Sequence, residues 1–227
     1  FCHTDAAQAA GKIPLDVDHM KIDLMSISAH KVHGPKGVGA LYVRRRPRVR
    51  LKPLFSGGGQ EGDLRSGTLP TPLCVGLGEA CRIAGAEMGA EAEKLRMMRG
   101  RMTQRITDAL PGARLNGDAD ARLPGSLNFS FAGVDSQRLI AALPDLALSW
   151  GSACSSAEAE NSPVLRALGL SEELARSSLR IGLGRFTTET EVERATMRII
   201  EEVERLSAEA EPGGRVTENA GALAGRH

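Results

Sequence analysis

Ser28, His30 and Lys31 stand at the end of an apolar run, Ile22 to Ile27, and Gly34-Pro35-Lys36-Gly37 follows them before a second apolar run, Val38 to Val43. The runs read as short buried strands and the Gly/Pro stretch as the turn between them. A lysine at the end of a buried strand, flanked by a hydroxyl and an imidazole, has the makings of Schiff-base chemistry on a phosphorylated aldehyde. Partial burial would free the amine, while Ser28 and His30 hold a phosphate. On spacing alone the ordinary alternative is favoured: Lys31 snorkels from a strand end into water, as most lysines do. Further along the chain, Cys154 sits in Gly151-Ser152-Ala153-Cys154-Ser155-Ser156, a loop of small residues that structural needs explain least. A thiol on such a tether suits a nucleophile that carries a group from one place to another. Cys2, Cys74 and Cys81 have apolar neighbours and read as small buried hydrophobes.

Asp5 and Gln8 follow an apolar strand end, Phe1 to Thr4, and ligands of open α/β sheets collect at the carboxyl ends of strands. A carboxylate there can keep a pyridine nitrogen protonated, although a lone Asp more commonly caps a turn. With Lys31 it gives the pair that a pyridoxal phosphate enzyme requires, an anchoring lysine and a pyridinium partner. Arg180, on an alternating run from Ser178 to Leu183, offers a two-pronged grip on a substrate carboxylate or an ordinary salt bridge. His30 and His33 lack a third ligand, which argues against a metal. Gly57-Gly58-Gly59 lacks the Gly-Lys-Ser/Thr ending of a P-loop. The arginines from Arg44 to Arg50 have only Tyr42 as an aromatic neighbour, so they read as a docking face for an acidic protein partner and not for nucleic acid.

The elements that must position these residues are legible as patterns. Thr71-Pro72 opens a long helix whose apolar face is Leu95, Met98, Met102, Ile106 and Leu110, and Pro111-Gly112 ends it. Gly85 and Gly89 weaken its middle, where one domain is expected to pass into the next. Leu127 to Phe131 alternates as a strand, Asp135 caps a short helix reaching Leu143, and Asn161-Ser162-Pro163 starts another. Thr188 to Glu191 is a capping box ahead of a helix with Val192, Ala195, Ile199, Val203 and Leu206 on one face. After Ala208 the composition reads as a disordered tail. The expected division is therefore 1–85, 86–207 and a tail, 208–227.

With 227 residues, and 29 Lys and Arg against 28 Asp and Glu, the chain has a sizeable core and no global field that would draw it to nucleic acid or an anionic membrane. No apolar stretch reaches the length of a membrane span. The four scattered cysteines suggest free thiols in a reducing compartment. A start at Phe1, inside a strand, reads as the C-terminal part of something longer. Heavy Ala, Gly and Arg usage favours a bacterial cytoplasm over a mitochondrial matrix.

Six ordered strings carry a resemblance: Thr4-Asp5-Ala6-Ala7-Gln8, Ser28-Ala29-His30-Lys31, Gly34-Pro35-Lys36-Gly37, Arg65-Ser66-Gly67-Thr68, Gly151-Ser152-Ala153-Cys154, and Arg180 through Thr187. From Phe1 to about Leu206 the chain resembles the pyridoxal-phosphate-dependent cysteine desulfurases of the NifS/IscS type, among the class V aminotransferases. The resemblance implies an α/β architecture of fold type I. It would comprise the C-terminal half of a large, mostly parallel-sheet domain and a small α/β domain, in a homodimer. It implies that Lys31 bonds the cofactor and moves the substrate Cα proton, that Asp5 faces the pyridine nitrogen, and that Gln8 bonds the ring hydroxyl. Ser28, Ala29 and His30 belong to the cofactor site, with Ser28 and His30 on the phosphate and Thr68 reaching it from the neighbouring subunit. Arg180 holds the carboxylate of L-cysteine, and Cys154 takes its sulfur.

The implied reaction is L-cysteine to L-alanine with a persulfide on Cys154. It would supply sulfur to an iron–sulfur scaffold or another acceptor, with tRNA thiolation as a further outlet. No resident metal is implied, although Cys154 could transiently share a cluster with the scaffold. Three positions depart from the family's usual residues: Ala29 for Gly, Gly62 for Arg, and Trp150 for Ser. Ala208 to His227 does not match the extension that docks the scaffold, and several site residues of the family would precede Phe1. The alternatives are a selenocysteine lyase or other class V enzyme in which Cys154 is incidental, or a non-catalytic remnant that keeps dimer or partner surfaces.

Overall fold

The computed structural model describes residues 1–149 and 162–210. Their contacts divide them into two compact units, Phe1–Met97 with Leu123–Gly125, and Met98–Arg122 with the rest of the chain from Ser126.

In the first unit three strands form a sheet in the order β1 (His3–Asp5), β2 (Leu24–Ser28), β3 (Gly39–Val43). β1 runs parallel to β2 with Asp5 beside Ser26, and β2 runs antiparallel to β3 with Ser28 beside Gly39. An antiparallel edge on a parallel pair is common in α/β sheets. Alternation puts Met25, Ile27 and Tyr42 on one face, where they pack with Ala6, Ile22, Leu15 and Val17. The opposite face carries His3, Asp5, Ser26 and Ser28. Gly39 has to be glycine: a Cβ there would lie 2.4 Å from the Ile27 carbonyl oxygen.

Helix α1 (Thr71–Ala109) begins at the expected Thr-Pro pair and runs unbroken across both units. The two units divide within it, between Met97 and Met98. Gly85 and Gly89 do not interrupt it. Leu95, Met98, Met102 and Ile106 are buried as expected.

In the second unit β4 (Ala113–Leu115), β5 (Ser126–Phe131) and β6 (Ser178–Gly182) form an antiparallel sheet in that order. Leu127, Phe129, Phe131, Leu179 and Ile181 turn one face into the core. There they meet Met98, Met102 and Ile106 of α1, Leu139 of α2 (Ser136–Ala142) and Ile199 and Val203 of α5 (Glu189–Ala210). Asp135 caps α2 by accepting from the amides of Gln137 and Arg138. The capping box of α5 closes both ways. The Glu191 amide donates to Thr188 Oγ1 at 3.2 Å, and the Thr188 amide donates to Glu191 Oε2 at 2.8 Å. The buried stripe of α5 includes Thr196, which the sequence pattern passed over for Ala195. Its hydroxyl donates back to the Val192 carbonyl at 2.6 Å, which makes its burial tolerable. α5 continues through Ala210, so the helix persists beyond Ala208, where the composition suggested a tail. Two further short helices, α3 (Pro163–Ala167) and α4 (Glu172–Arg176), precede β6.

Candidate functional site

β1 and β2 are parallel and in register, so their carboxyl ends lie side by side, and the chemistry-bearing residues of the first unit follow those two ends. After β1, the Asp5 carboxylate accepts from the Ala7 amide at 2.9 Å through Oδ1 and so starts a helical turn. In that turn Ala10 bonds back to Ala6, and Lys12 and Ile13 bond back to Ala9. Oδ2 of Asp5 has no partner among the described residues. The same turn carries Gln8. After β2, residues Ala29–Lys31 form a single 3₁₀ turn that places Ser28, His30 and Lys31 at the sheet's end. Ser28 Oγ and His30 Nδ1 share a hydrogen bond of 3.0 Å. One strand end thus gathers a carboxylate and an amide, and its neighbour gathers a hydroxyl, an imidazole and an amine.

Ala29, where the family usually has Gly, is fully buried, and the Val32 and Gly34 amides both donate to its carbonyl. A Cβ on Gly34 would lie 3.2 Å from that of Ala29, so the turn is already closely packed. Lys31, the last residue of the 3₁₀ turn, is exposed, as the reading favoured on spacing alone had it, and not partly buried as Schiff-base chemistry would ask.

One residue of this site was passed over in the sequence. Lys12 donates from Nζ to Gln8 Oε1 at 3.0 Å. Burial lowers its pKa from the ordinary lysine value, the charge of Lys31 lowers it further, and Glu91 opposes both. The available signal was the four-residue spacing from Gln8, which puts the two on one face of a helical turn. His3 is a second such residue. It lies on the Asp5 face, and its Nε2 shares a 3.0 Å hydrogen bond with Ser26 Oγ.

Thr68 is exposed and shares no hydrogen bond with Ser28, His30 or Lys31 among the described residues. Its loop is built separately. Arg65 donates to the Gly67 and Thr68 carbonyls, and the Gly67 amide donates to Gln60 Oε1 at 2.9 Å. Just before it, Glu61, Gly62 and Asp63 all have positive φ. Glycine at position 62 takes φ +62° without steric cost, which an arginine there would pay.

Arg180 belongs to the second unit. It lies beside Asn128 in the β5–β6 register, so both side chains share the face opposite the core. On its other side its amide donates to the Ser149 carbonyl at 2.9 Å. That face continues as a buried polar network. Asn116 Nδ2 donates to Asn128 Oδ1 at 2.6 Å and to Ser130 Oγ at 2.8 Å, and Ser130 and Ser178 both donate to the Leu174 carbonyl. Cys154, with Trp150 and the rest of its small-residue string, lies outside the described residues.

Two expectations need correction. The Arg44 guanidinium is not part of a surface patch. It folds inward onto Asp18 at 2.6 Å and onto the carbonyls of Val17 and Ile22, and the hydrogen bond to Asp18 raises its pKa further. Only Arg45, Arg46, Arg48 and Arg50 remain exposed. Cys2, Cys74 and Cys81 are exposed and not buried. Apolar neighbours in sequence do not decide which side of a helix a residue faces, and Cys74 and Cys81, seven apart on α1, share its outward side.

No helix among the described residues is long and apolar enough to cross a membrane.

The aminotransferase class-V family matches residues 1–195, and the chain belongs to that family. Its relatives include the cysteine desulfurase of Homo sapiens, 57% identical over 206 residues, which are 91% of this chain and 45% of that one. The mitochondrial cysteine desulfurase of Drosophila melanogaster is 59% identical over the same shares. Cysteine desulfurase IscS of Rickettsia typhi is 52% identical across 91% of this chain and 50% of its own. Among solved structures, a NifS-like protein superposes with a TM-score of 0.78 at 34% identity, covering 89% of this chain and 52% of that one. DndA from Streptomyces lividans gives 0.64 at 42% identity, covering 79% and 51%. The fold is therefore that of the fold-type-I enzymes. The chain spans about half the length of the curated relatives it matches.

Proposed function

We propose that the protein acts as a pyridoxal-phosphate-dependent cysteine desulfurase, converting L-cysteine to L-alanine and leaving the sulfur as a persulfide on Cys154. The observation that carries this reading is the convergence of Asp5, Gln8, Ser28, His30 and Lys31 at two adjacent strand ends. That donor set fits a phosphorylated pyridine aldehyde group by group: a carboxylate for the ring nitrogen, an amide for the ring oxygen, a hydroxyl and imidazole for the phosphate, and an amine for the aldehyde. When bound, the cofactor supplies an electron sink.

The chain's own residues do the rest. Arg180 grips the substrate carboxylate with its planar fork. Lys31 moves a proton at the substrate Cα. The Cys154 thiolate attacks the substrate sulfur: an S–S bond forms, the Cβ–S bond breaks with its electron pair left on carbon, and that carbon is protonated to give alanine. Supporting this substrate, relatives at 52–59% identity are named cysteine desulfurases, and a neighbour at 38% identity is described as in complex with cysteine. In the assembly we propose, a homodimer, Thr68 reaches the phosphate from the neighbouring subunit, consistent with its separation from Ser28 and His30 within one chain. The exposed arginines from Arg45 to Arg50 would receive an acidic sulfur acceptor, such as an iron–sulfur scaffold, in a bacterial cytoplasm.

The test uses the protein expressed from its complete reading frame. Cys154→Ser should bind the cofactor normally and lose alanine and sulfide release from cysteine by at least about 100-fold, as expected for removal of a nucleophile. Release at the wild-type rate would overturn the desulfurase reading and favour a class V enzyme in which Cys154 is incidental, such as a selenocysteine lyase.

A further inference from the structure

Gln8 is an amide whose two ends differ chemically but have the same shape, so what it offers a ligand depends on which way it is turned. In this structure a charged neighbour decides the matter. Lys12 Nζ lies 3.0 Å from the Gln8 side chain, and an ammonium only donates, so the atom it meets must be Oε1. Nε2 then faces away with two N–H groups that have no protein partner among the described residues. Gln8 is thereby fixed with its donor end unpartnered among the described residues and open to a ligand.

The position of Lys12 is itself built in. Gly11 takes φ +72°, and a Cβ on it would lie 3.0 Å from the Ala84 Cβ of α1 and 3.1 Å from Val32 Cγ1. Only a residue without a side chain lets the turn sit this close to α1 and to the residue that follows Lys31. Lys12, the next residue, is near enough to Lys31 and to Glu91 of α1 for both charges to act on it.

We propose that Lys12 is a positioning residue for the cofactor site. It pins the Gln8 amide with Nε2 presented to the ring oxygen of the cofactor, and so favours the anionic form of that oxygen. This rests on the function proposed above. A donor on the ring oxygen draws electron density from the nitrogen through which Lys31 holds the cofactor, and that nitrogen then releases its proton at lower pH. Without Lys12 the amide is free to turn, the donor is lost for part of the time, and the nitrogen holds its proton to higher pH. The other charged or titratable groups around the two strand ends include His3, Asp5, His30, Lys31 and Glu91, and the variants below leave all five in place.

The experiment is a pH titration of the visible absorption of the cofactor-loaded, full-length protein, with equilibrium affinity for pyridoxal phosphate as a second readout. Lys12→Met should raise the titration midpoint by roughly 0.5–1 pH unit, the size of one hydrogen bond. It should also weaken cofactor binding about 3- to 10-fold. Lys12→Arg keeps a permanently charged donor for Oε1 and should restore most of both values. In a Gln8→Ala background the Lys12→Met shift should shrink to less than half. An unchanged midpoint in Lys12→Met overturns the proposal. So does an equal shift with and without Gln8, because Lys12 would then act by charge alone. A visible band that survives Lys31→Ala would instead overturn the proposed function. Loss of the band in Lys31→Ala, with an unmoved midpoint in Lys12→Met, would remove only the role of Lys12.

Discussion

The amide of Arg180 donates to the carbonyl of Ser149 at 2.9 Å, as an isolated antiparallel bridge at the free edge of β6. Ser149 directly precedes the described residues' break before Cys154. The arginine proposed to clamp the substrate therefore shares a backbone hydrogen bond with the root of the segment that carries the proposed nucleophile. Arg180 is also held in register beside Asn128 on β5. Its backbone is fixed from both sides and only its side chain is left to respond to a substrate.

If Arg180 grips a carboxylate, its geometry matters as well as its charge. Arg180→Lys keeps the charge but loses the planar fork. In the full-length protein it should lower kcat/KM for L-cysteine by about 10- to 100-fold, the cost of one charged hydrogen bond. Cofactor affinity should not change. A kcat/KM within twofold of wild type would mean that Arg180 serves only the sheet.

Lys31 carries the cofactor assignment. Lys31→Ala should abolish the visible band of the full-length protein and leave a cofactor that gel filtration strips away, because only non-covalent contacts to Asp5, Gln8, Ser28 and His30 would remain. Retention of the band would mean that Lys31 does not bond the cofactor, and the proposed function would fall with that assignment.

The elements around these residues were legible to different degrees, and the differences have physical causes. The capping box at Thr188, the Asp135 cap and the start of α1 were plain in the sequence because capping is local chemistry between residues two or three apart. β4 was not, because three residues with one apolar alternation after Pro-Gly carry too little pattern. The proposed site residues Asp5, Gln8, Ser28 and Lys31 were singled out by type and order. Their proximity follows from the parallel pairing of β1 with β2, which no local signal encodes. The exposure of the three described cysteines and the inward fold of Arg44 depend on which side of an element faces the core, which single residues do not reveal.

The buried Asn116 network shows the same limit and gives a stability test. Asn116 Nδ2 serves Asn128, Ser130 and, at 3.3 Å, Ser178, while its Oδ1 has no partner among the described residues. Asn116→Ala removes the shared donor from a buried site and should cost about 2 kcal/mol, or roughly 4–8 °C in Tm. Asn128→Ala in the Asn116→Ala background should add little, since the two act as one unit. Full additivity by thermal or urea unfolding would contradict the network.

Asp118 provides a pH dependence with a definite sign. Its carboxylate accepts from the amides of Ala121 at 2.6 Å and Asp120 at 2.8 Å, and those bonds, with the nearby charge of Arg122, hold its pKa below the usual aspartate value. A folded value below the unfolded one means that the unfolded state binds the proton more readily. The stabilisation is therefore fully present above the unfolded value, about 3.9, and is lost as pH falls through the lower folded one. Asp118→Asn keeps an acceptor oxygen for the two amides but cannot titrate. Between neutral pH and about pH 3, unfolding midpoints of the wild type should therefore fall more steeply than those of the variant, with the two curves drawing together at the acid end. Parallel curves over that range would show that Asp118 does not contribute to the acid sensitivity of the fold.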